Sequence, residues 1–257
     1  MDNTLRKYKI DTPQYFLYKE MHEKQTLEYV NSKVEQYKKL NNKVMTIHEI
    51  LYSMDNFIDP SDPDIDLPNS VHAYQTAEMI KDKYPDNYDL QICGLIHDIG
   101  KILFKFGEPN WSIVGDTFPV GCQFRKSIIY YDTFINNPDF NKYNSIFGIY
   151  KENCGIKNLK MSFGHDEYLY LVLQNNKHNL PERYQNIIRF HSFYSWHLEN
   201  DYKYFMNEED EELLKDIKHF NQFDLYSKSD KDFILTPDII NYYSDLLNNY
   251  FPCPIKL

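Results

Sequence analysis

The run Leu95-Ile96-His97-Asp98-Ile99-Gly100-Lys101 sets a histidine and an aspartate side by side inside an apolar stretch. An aspartate buried there as an unpaired charge is costly, so a fold that buries this segment must supply an arginine or a metal ion as counter-charge. The pair is also geometrically awkward. Successive side chains on a helix point about 100° apart and do not face the same neighbour. Two metal ions sharing the pair remove that difficulty, because the histidine reaches one ion while the two carboxylate oxygens span both.

Four more side chains extend the candidate set: His72, His165, His191 and Asp224. Imidazole and carboxylate without thiolate suit iron, manganese or zinc better than copper(I) or an iron–sulfur cluster. Each residue taken alone has an ordinary alternative. His72 stands at an expected helix start, where histidine commonly caps or packs, and His165 follows Gly164 at another. His191 lies in Ile188-Arg189-Phe190-His191-Ser192-Phe193-Tyr194, an aromatic core segment in which a polar imidazole needs a partner. Asp224, in Phe220-Asn221-Gln222-Phe223-Asp224-Leu225-Tyr226, repeats the situation of Asp98. The spacing from His72 to His97 is a helix-turn-helix distance, so both can converge between packed helices. His22, His48, His178, His197 and His219 are read as structural.

The candidate ligands span His72 to Asp224, which requires both halves of the 257 residues to fold around one site. With only 8 glycines, 12 dispersed prolines and no Gly/Ser tract, the chain offers no linker, and a single domain over 1–257 is expected. A formal net charge of −10 argues against nucleic acid, whose phosphates need a basic face. A mean hydropathy of −0.64 and the lack of a long apolar run argue against membrane insertion. The polar start, Met1 to Lys9, has no apolar signal core, so a cytoplasmic monomer is expected. Cys93, Cys122, Cys154 and Cys253 form no CxxC pair and read as reduced thiols outside any metal site.

Apolar residues recur at helical spacing along most of the chain, which predicts a mainly α fold with few short strands at most. One helix is expected from Pro13, carrying Phe16, Leu17, Met21, Leu27, Val30 and Val34 near one face, and a short one at Ile47 to Tyr52. Asp55 to Asn69 reads as an ordered loop, after which Ser70 is placed to cap the helix of His72. Tyr88 to Phe104 reads as one buried helix on which Lys101, four residues after His97, shares its face. Gly107 to Cys122 reads as a second loop over the site. Further helices are expected near 166–177, 182–193, 208–224 and 238–250. Asp62, Asp64 and Asp66 begin a calcium-loop pattern, but Leu67 stands where glycine is needed and Ala73 where the closing glutamate belongs, which excludes an EF-hand.

His72, His97-Asp98 and the distant Asp224 resemble the HD-domain superfamily of helical metalloproteins. Longer motifs narrow the resemblance to the myo-inositol oxygenase family. They are Ser61-Asp62-Pro63-Asp64, Pro68-Asn69-Ser70, Gly107-Glu108-Pro109, Trp111, Val114-Gly115-Asp116-Thr117-Phe118-Pro119-Val120-Gly121-Cys122, Met161-Ser162, Gly164-His165-Asp166-Glu167-Tyr168, Arg189 to Tyr194 and Phe223 to Tyr226. The resemblance covers nearly the whole chain and implies an HD-domain-like helical bundle around a non-haem di-iron site. It implies ring opening of myo-inositol between C1 and C6 by O₂, giving D-glucuronate and water, at a mixed-valent Fe(II)/Fe(III) cluster of two iron ions.

Carried over residue by residue, the resemblance assigns His72, His97 and Asp224 to one iron, His165 and His191 to the other, and Asp98 to the bridge. A bridging hydroxide then leaves one position open on the first iron for O₂ and two on the second for a vicinal diol. Five positive charges from iron would exceed the two negative charges of Asp98 and Asp224. The implied inositol contacts are Arg6, the Asp59-Pro60-Ser61 segment, Lys101, Gly115-Asp116, the backbone at His191, and Ser192, with residues 1–12 as an N-terminal lid. Lys101 and Asp98 would act in catalysis, Lys101 as a cation beside the substrate alkoxide. The chain departs from the family pattern at Leu5-Arg6-Lys7-Tyr8, at Pro60 in place of a glutamate, and at Ser195 in place of a proline. Two alternatives stay open. A phosphohydrolase would share the HD-type ligands but wants an Arg or Lys cluster for phosphate, and a metal-stabilised binding module would have lost a ligand.

Overall fold

Threonine caps divide the N-terminal third. The computed structural model describes residues 9–61, 68–227 and 233–257. Thr12 accepts a hydrogen bond from the Tyr15 amide at 3.2 Å and opens α1 (Pro13–Lys24), with Pro13 in the first turn. Thr26 accepts from Tyr29 at 3.1 Å and opens α2 (Leu27–Tyr37). The single helix expected from Pro13 is therefore two, because the Thr26 hydroxyl competes for a backbone N–H and restarts the ladder. Thr46 and Glu49 form a reciprocal capping box at α3 (Ile47–Ser53).

The next helices carry the site. In α4 (Asn69–Lys83), Ser70 does not cap; its hydroxyl is hydrogen-bonded to Asp55 instead. Asn87 caps α5 (Tyr88–Ile96), which packs along α4 where Gly94 lies close to Ile80 and Ala77. The helix expected to run to Phe104 stops at Ile96. His97 is its C-cap, and a 3₁₀ helix, Ile99–Phe106, follows Asp98. α6 (His165–Gln174) packs against that 3₁₀ helix and against α7 (Glu182–Phe190). The short α8 (Tyr194–His197) leads towards α9 (Asp210–Ser227), which lies on α4 and α7, and α10 (Pro237–Tyr250) packs on α5. The strands are β1 (Val44–Met45) and β2 (Ile255–Lys256), paired antiparallel with Met45 opposite Ile255. The mainly α expectation stands.

Two devices fix α6 and α7. The Arg189 guanidinium donates to Glu167 through Nε at 2.7 Å and Nη2 at 3.2 Å, and to the Lys157 and Leu159 carbonyls. Both side chains are buried, so the fork ties α7 to α6 two residues from His191 and His165. Gly100 packs directly on the start of α6, where a Cβ would meet the His165 carbonyl oxygen at 2.1 Å. Among the described residues no helix is long and apolar enough to cross a membrane.

Candidate metal centre

Five helix ends bring the six candidate ligands together. His72 lies in the first turn of α4, His97 caps the C-terminus of α5, His165 begins α6, His191 caps the C-terminus of α7, and Asp224 lies in the last turn of α9. All six are buried.

The imidazoles are oriented from behind. His97 Nδ1 is 2.8 Å from the Gly94 carbonyl, His165 Nδ1 is 2.7 Å from Ile113 O, and His191 Nδ1 is 2.7 Å from Ile188 O. A carbonyl only accepts, so each Nδ1 carries the proton and each Nε2 turns a lone pair inward. His197 and Asn221 hold the His191 carbonyl from 2.9 and 3.0 Å. Buried His97 Nε2 makes no well-directed hydrogen bond, although Asp224 Oδ1 is 3.4 Å away.

The inward atoms form two groups that share Asp98. In the first, His72 Nε2 and His97 Nε2 lie 3.1 and 3.4 Å from Asp224 Oδ1, and 3.8 and 3.6 Å from Asp98 Oδ2. In the second, His165 Nε2 and His191 Nε2 are 3.4 Å apart and lie 3.2 and 3.6 Å from Asp98 Oδ1. Neighbouring ligands around an octahedral ion with bonds of about 2.1 Å stand roughly 3.0 Å apart. The separations in the two groups run from 3.1 to 3.8 Å, close to that spacing or somewhat wider, and a different Asp98 oxygen faces each.

The break after Ile96 explains how the adjacent pair serves one site. Asp98 leaves the α-helix with φ −100° and ψ −4°, so the 100° rule no longer separates its carboxylate from His97. The same break re-aims Lys101. In 3₁₀ geometry, residues three apart eclipse, so Lys101 stands over Asp98 and not over His97. Its Nζ lies 2.8 Å from Asp98 Oδ2 and 2.7 Å from Asp59 Oδ2. Burial disfavours charge on all three, yet the mutual attraction prevails: Asp98 is held well below the usual carboxylate range, Asp59 is lowered, and Lys101 is raised.

A cavity of about 320 Å³, counting its mouth, opens onto this centre. Asp59, Ser61, Lys101, Gly115, Asp116 and Ser192 line it together with Asp98, His165, His191 and Asp224. Ser61 donates through its amide and hydroxyl to Asp59, at 2.8 and 2.6 Å. Pro60 is not among the lining residues, which fits its lack of a donor and departs from its expected contact role. Arg6 and the triplet Asp62, Asp64 and Asp66 lie outside the described residues, as does most of the expected lid.

Four contributors escaped the reading of the sequence. Tyr18 donates to Asp116 Oδ1 at 2.8 Å while accepting from the Asp116 amide at 3.2 Å, and Gly115 beside it has φ +99°. Asn69 Nδ2 donates to Asp98 Oδ2 at 3.1 Å, and Tyr194 joins the cavity wall. Asp166 is the most consequential. It is buried, with Oδ1 2.6 Å from His165 Nε2, and His165, Asp166 and His191 form a further group able to hold a metal. Against the effect of burial, Asp166 and then Asp98 push the pKa of His165 up to about 10. A third carboxylate thus joins Asp98 and Asp224 in the charge balance. The signal was present, since His165-Asp166 is a second adjacent His-Asp pair.

A family model described as myo-inositol oxygenase matches residues 14–257. Inositol oxygenase 1 of Arabidopsis thaliana is 48% identical over 244 residues, covering 93% of this chain and 78% of the relative. The Dictyostelium discoideum inositol oxygenase is 48% identical over 243 residues, with 91% and 83% covered. The Homo sapiens inositol oxygenase is 44% identical over 241 residues, again with 91% and 83% covered.

Proposed function

The chain belongs to the myo-inositol oxygenase family of enzymes, and from that premise we propose that it opens the ring of myo-inositol between C1 and C6 with O₂ at a di-iron centre. The products are D-glucuronate and water. The balance is complete without a nicotinamide or flavin, because the four electrons lost by inositol are those needed to reduce O₂. The carrying observation is the division of Asp98, whose Oδ2 faces His72 and His97 while Oδ1 faces His165 and His191.

A pair of iron ions held by His72, His97, Asp98, Asp224, His165 and His191 would supply Lewis acidity towards substrate hydroxyls and the electron transfer that O₂ reduction needs. The remaining chemistry belongs to the cavity. Inositol carries hydroxyls throughout, so it needs fixed donors and acceptors more than apolar wall. Asp59 and Asp116 would accept hydroxyl hydrogens, the latter oriented by Tyr18. Ser61, Ser192 and the Gly115 backbone would contribute further polar contacts. Lys101, kept charged by Asp59 and Asp98, would lower the cost of losing a proton from the reacting hydroxyl. Ligand burial shields the reactive centre from bulk water.

A phosphohydrolase would want several Arg or Lys side chains around a phosphate. Among the described cavity-lining residues, Lys101 is the one of that kind. The deciding experiment is anaerobic loading with Fe(II), partial oxidation, and measurement of O₂ and myo-inositol consumption with product identification. Equal consumption with glucuronate formed is expected. Two bound irons per chain without turnover would refute the oxygenase reading.

A further inference from the structure

We propose that Asp166 is a seventh metal-binding side chain, which completes the His165–His191 half of the centre before inositol arrives and yields its place to the substrate's hydroxyls. The inference rests on the di-iron reading and extends it.

The first support is a convergence of ligand atoms. His165 and His191 each turn Nδ1 to a backbone carbonyl, which leaves Nε2 facing Asp98. Asp98 Oδ1 and Asp166 Oδ1 lie 3.2 and 2.6 Å from His165 Nε2, and Asp166 Oδ1 lies 3.5 Å from His191 Nδ1. His165, Asp166 and His191 thus place one ligand atom each within 4.8 Å of one another, a spacing that a single cation can span. The second support is Asp166 Oδ2, which is buried without a hydrogen-bond partner. A carboxylate oxygen left so in a protein interior is costly unless something charged reaches it.

Coordination explains why this half needs the help. The first group has four protein atoms, from His72, His97, Asp98 and Asp224, whereas the second has three without Asp166. A six-coordinate ion there would otherwise depend on solvent or substrate. The cavity reaches this half through His165, His191 and Ser192, so an entering diol meets the position that Asp166 would occupy. Ser192 Oγ, 3.4 Å from Asp166 Oδ1, can donate to it.

The test is Mn(II) titration of the metal-free chain, followed by loss of the free-ion electron paramagnetic resonance signal, with and without saturating myo-inositol. In Asp166→Asn, uptake of the second ion should weaken by at least about 10-fold without inositol, the scale seen when groups supporting a metal are removed. With inositol the gap to wild type should fall below about 3-fold. Asp166→Glu should recover most of the affinity, which separates lost charge from lost fold. Unchanged affinity in Asp166→Asn without inositol overturns the proposal. Equal weakening with and without inositol also overturns it, because displacement would then not occur. Asp98→Ala tests the underlying reading separately: if that variant still takes up two ions like wild type, the bridged centre itself is wrong.

Discussion

Gly100→Ala tests whether a single backbone contact sets the spacing of the centre. The added Cβ would stand 2.1 Å from the His165 carbonyl oxygen, 2.9 Å from its carbon and 3.0 Å from Leu169 Cβ. Ordinary contact begins near 3.4 Å, so the 3₁₀ helix and α6 must part by about 1.3 Å. The nearest obstacles are backbone atoms, which cannot rotate aside. Overpacking of this kind costs typically 1–3 kcal/mol, and the upper half of that range applies here. For a chain of this size that is roughly a 4–12 °C fall in melting temperature. The separation lies between Asp98 Oδ1 and His165 Nε2, now 3.2 Å apart. A displacement of that order costs about 100-fold in turnover when reacting groups are misplaced. The assays are thermal unfolding of the metal-free chain, metal content after loading, and turnover. Gly94→Ala is the control, because its Cβ meets the flexible Ile80 Cδ1 at 2.6 Å and should perturb the metal content far less. Wild-type melting and two ions retained in Gly100→Ala would show that the Gly100 contact does not hold the site.

Three further outcomes are expected. Lys101→Met removes the cation between Asp59 and Asp98, so turnover should fall by about 100-fold or more while both ions remain bound; steady-state kinetics with metal analysis checks this. Glu167→Gln strips the charge from a buried fork and should cost about 3 kcal/mol in urea unfolding; a loss below about 0.5 kcal/mol would show that Arg189 is satisfied by the Lys157 and Leu159 carbonyls alone. His22, fully buried and stacked on Phe134, has its pKa lowered by that burial from 6.5 to about 3. The unfolded chain binds this proton first as pH falls, so stability is lost from about pH 6.5 down towards 3, at up to about 1.4 kcal/mol per pH unit from this group. His22→Phe should flatten that part of the acid unfolding curve.

What the sequence disclosed was chemistry, and what it concealed was direction. His72, His97-Asp98, His165, His191 and Asp224 could be named because imidazole and carboxylate in apolar surroundings need a counter-charge wherever the fold puts them. The helical periodicity of α5 was equally plain, but periodicity does not say where an α-helix tightens to 3₁₀, and Ile99 to Phe106 remain apolar throughout. That tightening decides the role of Lys101, which faces Asp98 and Asp59 from the third position after Asp98. Thr26 illustrates the reverse case: a single hydroxyl interrupts an apolar pattern that continues across it. Tyr18 and Asn69 were illegible for another reason, since a phenol or an amide has no fixed chemical meaning until its partner is known, and Asp116 is 98 positions away from Tyr18.

The helix ends give the arrangement a common cause. His97, His191 and Asp224 sit at or near the C-termini of α5, α7 and α9, whose last carbonyls carry partial negative charge. The Gly94 and Ile188 carbonyls in those final turns are the very groups that take the Nδ1 protons. Ending a helix at a histidine therefore does two things at once. It supplies a local acceptor that fixes the tautomer, and it points the negative end of the helix towards the metal position. An aspartate or glutamate in place of His97 or His191 would lose the first effect, whereas Asp224, three residues before the end of α9, has no tautomer to fix.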